Sequence, residues 1–163
     1  MENIPRNTPL ILVSNHEKLA DPLYILYPVL RKLNKKVHFL STGSWWFLGD
    51  TICRKWVGCI PLFDSKKAYN ETKDLLIHGE IIWIFPEGRL GAGTRSPRTG
   101  AVRLAIETNT PILPIGIKSS YIPFCSVINI GKPVYLNKSI SKNAEECAID
   151  LMKHVYELRN GVG

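Results

Sequence analysis

No apolar run in this chain approaches the roughly 20 residues that a membrane-crossing helix needs. The opening Met1-Glu2-Asn3-Ile4-Pro5 has none of the apolar core of a secretory leader. A protein that is soluble or at most surface-bound is therefore expected. Cysteine is sparse: Cys53, Cys59, Cys125 and Cys147 form no CxxC and have no histidine at a metal-ligand spacing. They are expected to be small buried hydrophobes in a reducing compartment, with no metal bound. No RNP, zinc-finger or helix-turn-helix signature occurs, and no block of basic residues exceeds two or three. That leaves nucleic acid the weakest of the anionic partners. Internal repeats, linkers and low-complexity tracts are also missing, and no GxSxG elbow offers a serine nucleophile.

What remains is an ordinary globular composition with a clear electrostatic bias. The 163 residues suffice for one domain with a real core. The net charge of +7 favours phospholipid surfaces or phosphorylated small molecules.

Strand and helix patterns alternate along the chain. Leu10-Ile11-Leu12-Val13 reads as a buried strand, and residues 22–34 as an amphipathic helix with Leu23, Leu26, Tyr27, Leu30 and Leu33 on one stripe. Val37 to Leu40 is the next strand. From Gly43 to Gly58, half reads as a short helix and half as an interface, with Trp45, Trp46, Phe47, Leu48 and Trp56 beside Arg54 and Lys55. Cys59 to Phe63 is a short strand that Pro61 pushes toward an edge or an end. A second helix over 65–78 carries Ala68, Thr72, Leu75 and Leu76 inward and stops at Gly79. Glu80 to Phe85 is the clearest buried strand, followed by a Gly- and Arg-rich loop from Pro86 to Pro97.

Thr99 to Thr108 is helical and Pro111 to Ile117 is another buried strand. Val127 to Ile130 and Val134 to Leu136 are expected to pair around Gly131-Lys132-Pro133, and Ser141 to cap a last helix carrying Ala144, Ala148, Leu151, Val155 and Leu158. The alternation predicts an α/β fold, a single domain with a largely parallel or mixed central sheet flanked by helices.

The chemistry concentrates after two of these strands. Asp21 and Pro22 form a helix-start signal, so His16 lies on the strand-to-helix connection. On a regular helix, five residues apart would turn His16 and Asp21 about 140° from each other. In a folded-back turn the carboxylate holds one ring nitrogen and frees the other as a base. The second stretch, Phe85-Pro86-Glu87-Gly88-Arg89, leaves the most buried strand about 70 residues later. In an open α/β sheet ligands bind at the carboxyl ends of strands. If the two strands are parallel neighbours, both loops share one rim. Arginine forks suit phosphate oxygens and Glu87 suits hydroxyls, which fits a polyol carrying a phosphate. His38, His78 and His154 are expected to be structural, and Ser14 and Asn15 to shape the turn.

Both stretches, in this order, resemble the glycerolipid acyltransferases of the lysophosphatidic acid (1-acylglycerol-3-phosphate) acyltransferase family. Their NHx4D hallmark is Asn15-His16-Glu17-Lys18-Leu19-Ala20-Asp21 here, and their FPEG block is Phe85-Pro86-Glu87-Gly88. A downstream block follows as Thr99-Gly100-Ala101, Leu104-Ala105 and Pro111 to Ile115. The likeness runs from about Asn3 to Pro133. It implies transfer of a fatty acyl group from an acyl-CoA or acyl carrier protein thioester to a hydroxyl, typically of lysophosphatidic acid, in phospholipid biosynthesis. His16 would be the general base and Asp21 its orienting carboxylate. Asn15, Glu87, Gly88, Arg89, Arg95 and Arg98 would bind substrate, with no cofactor beyond the thioester co-substrate.

Three departures bear on that reading. Where the family's second block ends in an acceptor-binding arginine, this chain has Asp64 or Ser65, leaving Lys66, Lys67 or Arg89 to compensate. FPEG is usually followed by Thr-Arg-Ser, whereas here Arg89-Leu90 follows and Thr94-Arg95-Ser96 comes only after a Gly-rich insertion, making Arg95 and Arg98 alternates. Members often carry apolar docking helices before NHx4D, and the dozen or so residues before His16 contain none. The aromatics of the tryptophan-rich, basic segment either fill the core or line an acyl-chain tunnel, or they give membrane access on the cytoplasmic face, expected as weak and salt-sensitive binding to anionic vesicles. Two other readings stay open: a hydrolase using the same dyad on water, and a non-catalytic module that binds lipid or acyl carrier protein.

Overall fold

The structure, a computed structural model, describes residues 3–5, 9–18, 21, 35–42, 49, 51–88, 90, 96–119, 126–137 and 143–161. The helix expected over 22–34, the aromatic run 45–48, Arg89, Arg95, Cys125 and Ser141 lie outside these residues. Six strands form one mixed sheet in the order β3-β2-β4-β1-β5-β6. They are β1 (Leu10–Ser14), β2 (Val37–Ser41), β3 (Cys59–Pro61), β4 (Ile81–Ile84), β5 (Ile112–Lys118) and β6 (Val127–Ile130). The first five run parallel and β6 runs antiparallel to β5.

β1 is central, between β4 and β5, and Leu10 to Val13 are all fully buried. A strand covered on both faces has no need of polar alternation, which is why it reads as a continuous apolar run. Ile11, Val13, Ile82 and Ile84 face the helices α1 (Ser65–Ile77), α2 (Gly100–Thr108) and α3 (Ala144–Arg159). Leu10, Leu12, Ile81 and Trp83 face the opposite side, where Ile4 and Cys53 pack. β3 lies at the sheet edge, as Pro61 demanded, and Phe63 beyond it is 71% exposed. Within the 43–58 segment, Ile52–Val57 forms a single π-helical turn, on which Trp56 is 82% exposed.

Asp64 starts α1 by accepting hydrogen bonds from the Lys66 and Lys67 N–H groups at 2.9 and 3.1 Å. Cys53 and Cys59 are buried thiols in no disulfide, and Cys147 is half-buried. Burial, with Cys53 alongside, pushes the Cys59 thiol up to about 11.

Two expectations are corrected. Val127–Ile130 does not pair with the segment at Val134. Both instead lie along β5: Ile130 opposite Ile115, and Val134 bridging Ile112 through bonds of 2.9 and 2.7 Å. Gly131 is no turn residue. Its N–H donates to the Pro114 carbonyl at 3.0 Å. A Cβ there would come within 2.9 Å of Pro114 Cγ and Leu158 Cδ1. The glycine marks a close approach of α3 to the sheet edge rather than a reversal. The cap of α3 is Asn143, whose side chain accepts from the Glu145 N–H, not Ser141.

Candidate active site

Because β1, β4 and β5 are parallel neighbours, their carboxyl ends deliver three loops to one rim: Asn15–Lys18, Phe85–Gly88 and Ser119. Asn15 is fully buried and mimics a strand partner. Its Nδ2 donates to the Ile117 carbonyl and its Oδ1 accepts from the Ile117 N–H, both at 2.8 Å. This pair of hydrogen bonds ties the chain leaving β1 to the end of β5. Ser14, also buried, accepts from the Trp83 indole N–H at 2.8 Å.

The loop folds back so that Asp21 Oδ2 lies 3.2 Å from His16 Nδ1. Asp21 is fully buried and the His16 side chain 16% exposed. The same Oδ2 accepts the Glu17 and Lys18 N–H groups, each at 2.7 Å, while the Ser119 hydroxyl donates to Oδ1 at 2.5 Å. Burial raises the Asp21 pKa, but the hydrogen bonds from His16, Lys18, Ser119 and Glu17 outweigh it and hold the carboxyl below its usual range. A buried carboxylate kept ionised on Nδ1 fixes the imidazole tautomer and leaves Nε2 as the basic nitrogen. The ring is stacked on Phe85, with centroids 4.1 Å apart and planes inclined by 24°.

Glu87 takes the His16 N–H on Oε2 at 3.2 Å and the Tyr156 hydroxyl on Oε1. It therefore ties the two loops to each other and to α3. Gly88 has φ +66° and sits against the Arg98 guanidinium, where a Cβ would lie 3.1 Å from Cζ. Arg98 anchors its own backbone on the Pro86 carbonyl at 3.0 Å.

His16, Gly88 and Arg98 all line a cavity of about 440 Å³. It runs between α1 and α2 over the ends of β2 and β4, and its walls include Phe39, Leu40, Leu62, Ala68, Ile84 and Leu104. Ser65 and Arg103 also line it, so the start of α1 adjoins the cavity even though its cap is an aspartate rather than an arginine. Of the residues singled out in the sequence, His16, Asp21, Glu87, Gly88 and Arg98 come together. Asn15 stands behind them as a buried support, and Arg89 and Arg95 lie outside the described residues.

Sequence reasoning missed Ser119, Tyr156 and Arg159. Arg159 Nε donates to Glu17 Oε1, and Glu17 Oε2 accepts the Ser119 N–H at 3.0 Å. The only available signal was the spacing of Tyr156 and Arg159, three apart and so on one helix face. Among the described residues no group of three or more His, Cys, Asp or Glu could hold a metal ion, and no helix is long and apolar enough to cross a membrane.

An imidazole–carboxylate pair thus stands on the carboxyl rim of the parallel strands of an α/β sheet, with the imidazole at the wall of a largely apolar cavity. The family model described as Acyltransferase matches residues 1–118, and the chain belongs to that family. Mouse 1-acyl-sn-glycerol-3-phosphate acyltransferase alpha is 28% identical over 133 residues, covering 76% of this chain and 45% of that protein. The 1-acyl-sn-glycerol-3-phosphate acyltransferase of Borreliella burgdorferi is 26% identical over 145 residues, covering 83% and 57%. The chain thus spans about half the length of the curated relatives it matches. The crystal structure of the 1-acyl-sn-glycerophosphate (LPA) acyltransferase PlsC from Thermotoga maritima superposes with a TM-score of 0.72 at 22% identity, over 99% of this chain and 68% of that one. That likeness shows a shared fold.

Proposed function

We propose that this chain is an acyltransferase that moves a fatty acyl group from an acyl-CoA or acyl carrier protein thioester to a hydroxyl of a lysophospholipid, with 1-acylglycerol-3-phosphate as the acceptor. The observation that carries the reading is the His16–Asp21 pair at 3.2 Å on the wall of an apolar cavity. In this reading His16 Nε2 removes the acceptor's hydroxyl proton as the oxygen attacks the thioester carbonyl. Asp21 stabilises the imidazolium that forms. Collapse of the tetrahedral intermediate breaks the carbon–sulfur bond, and the departing thiolate takes the proton from His16. The acyl chain occupies the cavity between α1 and α2, where each buried methylene contributes about 0.8 kcal/mol. Arg98, held beside Gly88 on the same cavity wall, meets the acceptor phosphate in place of the arginine that Asp64 and Ser65 displace. Trp56 and Phe63, 82% and 71% exposed, with Lys55 beside Trp56, supply peripheral contact with an anionic membrane surface.

Thiol release from acyl-CoA by the purified protein, measured with and without lysophosphatidic acid, tests the reading. Release that depends on the acceptor is expected. Equal release without acceptor would mean hydrolysis, and none with any donor or acceptor would mean a binding module.

A further inference from the structure

Asp21 presents two oxygens, and only one of them faces the imidazole. Oδ2 carries His16 Nδ1 and two loop N–H groups, while Oδ1 takes the Ser119 hydroxyl at 2.5 Å. The terminal torsion of an aspartate is broad and roughly two-fold. Donors on one oxygen alone leave the carboxylate plane free to rock, and with it the Nδ1 contact. A donor on the second oxygen fixes that plane. Ser119 follows β5 directly and is itself held: its N–H donates to Glu17 Oε2, and Glu17 Oε1 takes Arg159 Nε.

Arg159 lies where the end of α3 packs closely on the sheet. A Cβ on Gly116 would lie 2.2 Å from the Arg159 backbone nitrogen, so the end of α3 rests on the backbone of β5. Asn129 Nδ2 holds the neighbouring Leu158 carbonyl at 2.7 Å. The Glu17 and Arg159 side chains are only 15% and 31% exposed, which limits the competition from water. Ser119 and Arg159 both fall beyond the stretch, residues 1–118, that the family model matches.

We infer that Ser119 is a positioning residue for the His16–Asp21 pair, held in place by the Glu17–Arg159 ion pair from the last helix. Ser119 acts on Asp21 and not on substrate. Glu17, one of the unspecified positions of NHx4D, receives a defined task in this chain. The inference rests on the reading of His16 and Asp21 as the catalytic pair.

The test measures steady-state acyl transfer for Ser119→Ala, Ser119→Thr, Arg159→Met and the Ser119→Ala/Arg159→Met double variant, with His16→Ala as control and thermal unfolding recorded for each. Loss of one hydrogen bond to a charged group predicts that Ser119→Ala lowers kcat about tenfold with KM within about twofold. Ser119→Thr, which keeps the hydroxyl, should recover most of that loss. Arg159→Met should lower kcat several-fold alone and less than twofold further in the Ser119→Ala background, because it acts through Ser119. A Ser119→Ala enzyme with wild-type kcat, or losses that multiply in the double variant, would overturn the inference while leaving the dyad standing. If His16→Ala retains full activity, the dyad reading fails and this inference with it. A general loss of folding would lower the melting temperature of Ser119→Ala and raise KM along with the fall in kcat. That pattern also counts against a positioning role.

Discussion

Replacing Asn15 should expose how much of this fold hangs on a single side chain. Asn15→Ala removes two 2.8 Å hydrogen bonds and leaves the Ile117 N–H and carbonyl without partners, at a site with no solvent exposure. An orphaned buried backbone group costs about 1–3 kcal/mol, so the pair costs about 2–6 kcal/mol, and we take about 3 kcal/mol as the working value. For a chain of this length that corresponds to a fall of about 6–12 °C in melting temperature. Asn15→Asp sharpens the test. Its carboxylate still accepts from the Ile117 N–H but turns a second oxygen toward the Ile117 carbonyl, so burial raises its folded pKa. A raised carboxyl pKa costs nothing below the unfolded value near 4 and progressively more as pH rises through the folded value. The deficit of Asn15→Asp relative to wild type should therefore shrink from pH 7 to pH 4. Urea titrations at both pH values supply the readout. A melting temperature for Asn15→Ala within about 1 °C of wild type, or an Asn15→Asp deficit independent of pH, would refute the strand-mimic account.

Two further outcomes follow from other parts of the molecule. Burial, with Lys36 adding to it and Glu80 opposing, lowers the pKa of His38 in the folded chain. Its contribution to stability is then complete above the unfolded value near 6.5 and is lost as pH falls below it; His38→Gln should flatten the decline in urea midpoint between pH 7.5 and pH 5, and an unchanged decline would remove His38 from the account. Leu62→Trp narrows the cavity from its half-buried side; each methylene it displaces should lower kcat/KM for long-chain donors about fourfold relative to short ones, and a chain-length profile like wild type would place the acyl chain elsewhere.

The parts of the fold that were legible in the sequence are those governed by local patterning. Continuous apolar runs marked β1, β4 and β5 because strands buried on both faces have no polar alternation to hide them. The His16-to-Asp21 spacing pointed to a folded turn because a helix could not bring the two together. Long-range packing was not legible. Gly131-Lys132-Pro133 resembles a hairpin turn in sequence, and only the approach of Leu158 and Pro114 makes Gly131 a contact glycine. Ser119, Tyr156 and Arg159 reach partners 98, 69 and 142 residues away, and no local period records such pairings. Asp64 stood out as the residue in place of an arginine; its role as the cap of α1 appears once the helix start is fixed at Ser65.

The central claim is that His16 is the base and Asp21 its orienting carboxylate. Its most direct test is the initial rate of acylated product from 1-acylglycerol-3-phosphate and acyl-CoA for wild type, His16→Ala and Asp21→Asn, each checked for an intact fold. General-base catalysis typically contributes 10²–10⁴-fold. His16→Ala should therefore lower kcat by at least about 100-fold, and Asp21→Asn should lower it strongly with little change in KM. A folded His16→Ala protein that forms product at the wild-type rate would contradict the account.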